Sequence, residues 1–140
     1  MKLSVPIKEK LLNEIKIVRE KMKQESDPRN KAFYYSAIFN EIARLFNDQY
    51  DPHLQFMHLV LNVSYNSIVS RLGLLAGGDI TVPFPDNFFD ELDKLLAKME
   101  EDIENDKDTY QTLERITNLA YLLSGNGYYL LQKGVTIFSQ

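Results

Sequence analysis

From Pro52 to Ser70 the chain carries no Asp, Glu, Lys or Arg, and its apolar residues fall on almost every side of a helix. Leu54, Phe56, Met57, Leu59, Val60, Leu61, Val63, Ile68, Val69 and Leu72 do not keep to one stripe of a 3.6-residue period,. A helix apolar nearly all round has to be covered, either at the centre of its own domain or in a subunit interface. Asp51-Pro52 opens this third helix, and Gly77-Gly78 ends it after Ala76,. Gln55, His58, Asn62 and Asn66 interrupt it too often for a membrane span,.

The rest of the pattern supplies helices to cover it. Ile7, Leu11, Ile15, Val18 and Met22 step by three or four residues, so a first helix capped by Ser4, with Pro6 in its first turn, buries one narrow face,. Asp27-Pro28 ends it and opens a second helix, from Pro28 to about Asn47, with a wider apolar face: Ala32, Tyr35, Ile38, Phe39, Ile42, Leu45 and Phe46,. Residues 79–87, with Pro83 and Pro85, read as an extended connection,. A fourth helix capped near Asp86 or Asn87 turns Phe88, Leu92, Leu95, Met99 and Ile103 inward, with Phe89 and Leu96 flanking,. Asp108 and Gln111 have the spacing of a capping box for a fifth helix bearing Tyr110, Leu113, Ile116, Ala120 and Leu123,.

Gly125-Asn126-Gly127 costs a continuous helix roughly 2 kcal/mol against alanine, which favours a break before a short sixth helix over 128–133. A helix that ran through would still keep Leu123, Gly127 and Leu130 on one face. Val135 to Phe138 is a β-prone tail,. With 44% hydrophobic and 26% charged residues the composition is globular, and a chain of this length buries a core without disulfide or metal staples,. The expectation is one all-α domain over residues 1–140: an antiparallel up-and-down bundle of five to six helices, with the apolar third helix at its centre.

Chemistry is narrowed mainly by what the sequence lacks. Without cysteine there is no zinc–thiolate site, iron–sulfur cluster, disulfide or thiol nucleophile,. The N-terminus has no apolar core of signal-peptide length before Lys8, Glu9 and Lys10, so a cytoplasmic location is the default expectation,. His53 and His58 are five residues apart, about 140° round a helix, which does not suit one metal ion. A looser set of Glu41, His58 and Glu114 reads as ordinary paired or surface groups. Neither a Gly-x-Ser-x-Gly elbow nor a phosphate-binding Gly-rich loop is present,. No catalytic residue and no cofactor is expected, and a non-enzymatic role is favoured.

The candidate site is a polar line on the third helix, Gln55, His58, Asn62, Asn66 and Ser70, with Arg71 near its end. Such a line could hold a polar or anionic small molecule, in a binding protein or an enzyme. The plainer alternatives are a solvent-facing edge or a hydrogen-bonded seam between subunits. Charge is uneven along the chain: residues 1–31 carry nine Lys or Arg against five acids, and residues 86–108 carry ten acids against three Lys. The basic first helix suggests weak nucleic-acid binding as a third class, diluted by Glu9, Glu14, Glu20 and Glu25,. Acids from Glu100 to Asp106 sit where the helix dipole disfavours them, so the first helix is expected alongside, ahead of a calcium ion,. The favoured function is a non-enzymatic helical interaction module of unassigned pathway, self-associating as a homodimer or binding a protein partner, with no membrane role.

Overall fold

The structure, a computed structural model, describes residues 2–76 and 84–123. Among the described residues there are five helices and no strand: α1 (Val5–Gln24), α2 (Pro28–Leu45), α3 (Pro52–Ala76), α4 (Phe88–Glu104) and α5 (Tyr110–Tyr121). The expected break at Gly125 to Gly127, the sixth helix, the tail and most of the 79–87 connection lie outside the described residues.

The two Asp-Pro junctions work as the sequence implies. Asp27 accepts from the Arg29 N–H at 2.9 Å, while Asp51 accepts from the N–H groups of His53 and Leu54 at 2.8 and 3.1 Å. Each carboxylate thus satisfies orphan donors at a helix N-terminus and meets the positive end of the dipole. Proline follows at a position whose missing N–H would have had no partner.

The α4–α5 junction departs from expectation. Asp106 has φ 55, the left-handed region. The Lys107 N–H reaches the Asp102 carbonyl at 2.8 Å and the Asp106 N–H reaches the Ile103 carbonyl at 3.2 Å. These are the two bonds of a Schellman ending to α4. The Asp108–Gln111 capping box is not the start of α5: the N-cap is Thr109, whose side chain turns to His53, and Asp108 accepts from the Tyr110 N–H at 3.3 Å.

Helix neighbours form a closed ring in the order α1, α2, α3, α5, α4 and back to α1. Tyr35, Ile38 and Ile42 of α2, Leu11 and Ile15 of α1, Leu54, Met57, Leu61 and Ile68 of α3, Leu92, Leu96 and Met99 of α4, and Leu113 of α5 fill the middle. The predicted stripe of α1 is buried in full. On α4 the leucines exchange roles, Leu96 being fully buried and Leu95 only partly so.

The pairings across the ring are specific. The beginning of α1 meets the end of α4 through Lys8 and Asp106, and the end of α1 meets the beginning of α4 through Lys23 and Asp93. Phe46 of α2 touches His58 of α3, and Tyr35 meets Ser64. Between α3 and α5, start meets start at His53 and Thr109, and end meets end at Arg71 and Leu123. The third helix is not the axis of the ring. It is one wall, packed on α2 and α5, and it keeps an outward face.

Candidate functional site

The two sides of α3 follow from its sequence once its neighbours are known. Leu54, Met57, Leu61, Ser64, Ile68, Arg71 and Leu72 recur every three or four residues and are buried. The opposite side carries Phe56 at 40% exposure, Leu59 at 57%, Val63 at 53% and Val69 at 41%. Among the described residues, these four belong to the apolar surround that stays exposed. Singly exposed apolar residues are ordinary; here Phe56, Leu59 and Val63 step by three and four residues, and Val69 lies about 120° round the helix from Val63,.

The predicted polar line is split by this geometry. Gln55, Asn66 and Ser70 are exposed, while His58 and Asn62 are half-buried. Gln55 accepts from the Tyr50 hydroxyl at 2.6 Å, and Asn66 donates to Asn62 at 3.1 Å. His58 leans on α2, its ring 5.9 Å from those of Phe39 and Phe46. Arg71, one residue and so about 100° beyond Ser70, points inward and is 5% exposed,. Its Nε donates to the Leu123 carbonyl at 2.8 Å, and one terminal nitrogen donates to the same oxygen. The structure therefore brings five of the six residues to the outer side of α3 and separates Arg71 from them.

Three of the surface grooves among the described residues are lined by other residues than those six. One of about 370 Å³ lies between α2 and α3, beside Phe33, Tyr65 and Val69. Another of about 440 Å³ lies among Met22, Lys23, Lys31 and Phe89, and a third of about 720 Å³ runs between α4 and α5. Among the described residues no three His, Asp or Glu side chains come together to hold a metal ion, and no helix is long and apolar enough to cross a membrane. Glu41, one member of the looser set, pairs with Arg44.

One end of the outward face is built on a buried polar contact that sequence reasoning missed. His53 is 7% exposed, and its Nε2 faces Thr109, which is fully buried. The Thr109 N–H donates to Nε2 at 3.1 Å, and the Thr109 hydroxyl lies 2.7 Å from the same atom. A nitrogen that accepts from a backbone N–H carries no proton, so the imidazole is neutral with its hydrogen on Nδ1. Burial pushes the His53 imidazole below its ordinary value, and the positive amino terminus adds to this; Asp51 and Asp108 pull weakly the other way. The Tyr110 ring meets His53 edge-on at 4.4 Å and touches Phe56 at 5.4 Å. Tyr110 is 53% exposed, so the aromatic end of the face is continuous from His53 outward.

The charge seam between α1 and α4 accounts for the basic first helix. Arg19 binds Asp93 through Nε at 2.9 Å and a terminal nitrogen at 3.3 Å, and reaches Glu100 at 2.9 Å. Lys8 with Asp106, Lys16 with Glu104 and Lys23 with Asp93 extend the seam. Lys31 donates to the Met22 carbonyl at 2.8 Å and sits over the Phe89 ring. Compared with protein-family models, curated proteins and solved structures, the chain matches none.

Proposed function

We propose that the protein is a non-enzymatic helical interaction module that forms a homodimer through the outward face of α3. The observation that carries this reading is the uncharged row Phe56, Leu59, Val63 and Val69, exposed on a helix whose only formal charge, Arg71, is turned inside. A second copy is the occupant that best suits such a face. It brings no like charges together, and its polar groups are amides and hydroxyls (Gln55, Asn62, Asn66, Ser70), which both donate and accept and so pair with their own kind. The finer architecture follows in the same reading: consecutive helices run up and down, α3 and α5 lie side by side in one sense, and the third helix becomes central only when two copies meet.

Magnitudes set the strength of association. Each half-exposed side chain on the face gains on the order of 1 kcal/mol when covered, so the four on α3 and Tyr110 of α5, counted on both copies, gain roughly 10 kcal/mol,. Lost translation and rotation cost from about 4 kcal/mol to 15 or more. At the low end of that cost the surplus is about 6 kcal/mol, and the expected dimer is weak, with a dissociation constant on the order of tens of micromolar. The other two readings have less support. The groove between α2 and α3 is lined by Tyr65 and Val69 and not by the polar line from Gln55 to Ser70, and Arg71 directs its donors to Leu123. Nucleic-acid contact through α1 competes with carboxylates that already hold Lys8, Lys16, Arg19 and Lys23.

Light scattering on a sizing column tests the proposal. The wild type is expected to move from monomer towards dimer as concentration rises through about 100 μM, whereas L59E/V63E stays monomeric with unchanged helical circular dichroism. A wild type that keeps the monomer mass throughout this range ends the self-association reading.

A further inference from the structure

We infer that His53 gates this self-association by pH, its neutral imidazole holding the start of α5, and with it Tyr110 and Phe56, in the arrangement that a second copy meets. The inference rests on the homodimer reading and adds its control. Three contacts carry it in sequence. Nε2 of His53 is the acceptor for the buried Thr109 N–H at 3.1 Å. Thr109 is the N-cap of α5, and Tyr110 is its first helical residue. The Tyr110 ring then lies against both His53 and Phe56, at 4.4 and 5.4 Å, and Phe56 belongs to the uncovered row on α3.

A proton on Nε2 fills the one lone pair that receives the Thr109 N–H; the Thr109 hydroxyl at 2.7 Å can turn to accept that proton, but the backbone N–H is then set against another donor,. The N–H is buried and then has no acceptor, so the first turn of α5 is released. Tyr110 moves with it, because Thr109 and Tyr110 are consecutive. The groups acting electrostatically on His53 are Asp51 at the start of α3, Asp108 before α5 and the amino terminus. Asp51 is committed to capping α3 at 2.8 and 3.1 Å, and Asp108 to the Tyr110 N–H at 3.3 Å. The ring also sits in the first turn of α3, where the helix dipole opposes a positive charge. The neutral form is thus built into the site, and acidification works against it. His58, the other histidine, packs between Phe39 and Phe46 and has no comparable link to α5.

The experiment combines sedimentation equilibrium at pH 7.5 and 5.0 with a proton NMR titration of the His53, Tyr110 and Phe56 rings, on the full chain and on H53Q. The dimer dissociation constant of the wild type should rise at least about tenfold at the lower pH, since each protomer must lose a proton to associate. H53Q should be flat. In the titration the Tyr110 and Phe56 signals should follow the His53 midpoint and stop doing so in H53Q. Rings of Phe56 that ignore the His53 titration overturn the gate even if a dimer forms, and so does pH dependence that survives in H53Q. A chain that is monomeric at both pH values, with Phe56 still following His53, overturns the homodimer reading and the gate as its control together.

Discussion

At the scale of single residues the most consequential placement is a neutral histidine where a charged one would be harmful. Leaving the buried Thr109 N–H without its acceptor costs about 1–3 kcal/mol. The folded state therefore resists protonating His53, while the unfolded chain takes the proton near the ordinary value of 6.5. Because the folded value is lowered, the unfolded state binds more protons below 6.5. The contribution of His53 is complete above that pH and is lost as the pH falls through the window beneath it. Urea unfolding at pH 7.5, 6.5, 5.5 and 5.0 should give a stability that declines across the last three points. In H53Q, which keeps an oxygen acceptor but does not titrate, this decline should be absent, and an equal decline in both proteins would assign it to other groups.

At the scale of helices and their ends, the α4–α5 turn offers a test of strain. Asp106 holds a left-handed conformation that disfavours side chains other than glycine and, to a lesser degree, asparagine and aspartate,. It also places negative charge at a helix C-terminus. D106G should raise stability by about 0.5–1 kcal/mol, a few degrees in melting temperature, despite losing the exposed pair with Lys8. A lower melting temperature would mean that the Lys8 pair outweighs the strain. The helices themselves were largely legible, since the stripe on α1 and the Asp-Pro caps need only local spacing. The position of α3 was not, because a helix apolar on all sides has no preferred face, and only its neighbours decide which residues stay wet. For the same reason Leu95 and Leu96 exchanged roles on α4. In the candidate site the amide line was readable as a line, and the inward turn of Arg71 follows from its step past Ser70. The His53–Thr109 contact joins residues 56 apart in sequence, and no periodicity signals it.

At the scale of the whole molecule, the ring is closed by charge between α1 and α4, while α3 keeps apolar side chains exposed. The closure joins α1 to α4 through Arg19, whose partners lie 74 and 81 residues away and are largely buried, Asp93 at 17% and Glu100 at 10% side-chain exposure. Burial alone would push the Asp93 carboxyl up, but the bonds and charge of Arg19 hold it below its ordinary value of 3.8. A depressed carboxylate stabilises the fold above that value and loses its contribution as pH falls through the lower folded value. Acid should therefore act in two stages, first on His53 below 6.5 and then on the α1–α4 seam below 3.8. R19A leaves Glu100 without its cation and Asp93 with Lys23 alone in a partly buried seam, and should cost about 2–3 kcal/mol, whereas K16A, from an exposed pair, should leave the urea midpoint almost unchanged,. The proposed dimer gives the complementary reading. Raising salt screens the residual seam charges but does not weaken an uncharged α3 face, so R19A should lower stability without shifting the dissociation constant. Equal effects of R19A on both would mean that closure of the ring and presentation of α3 are a single cooperative event.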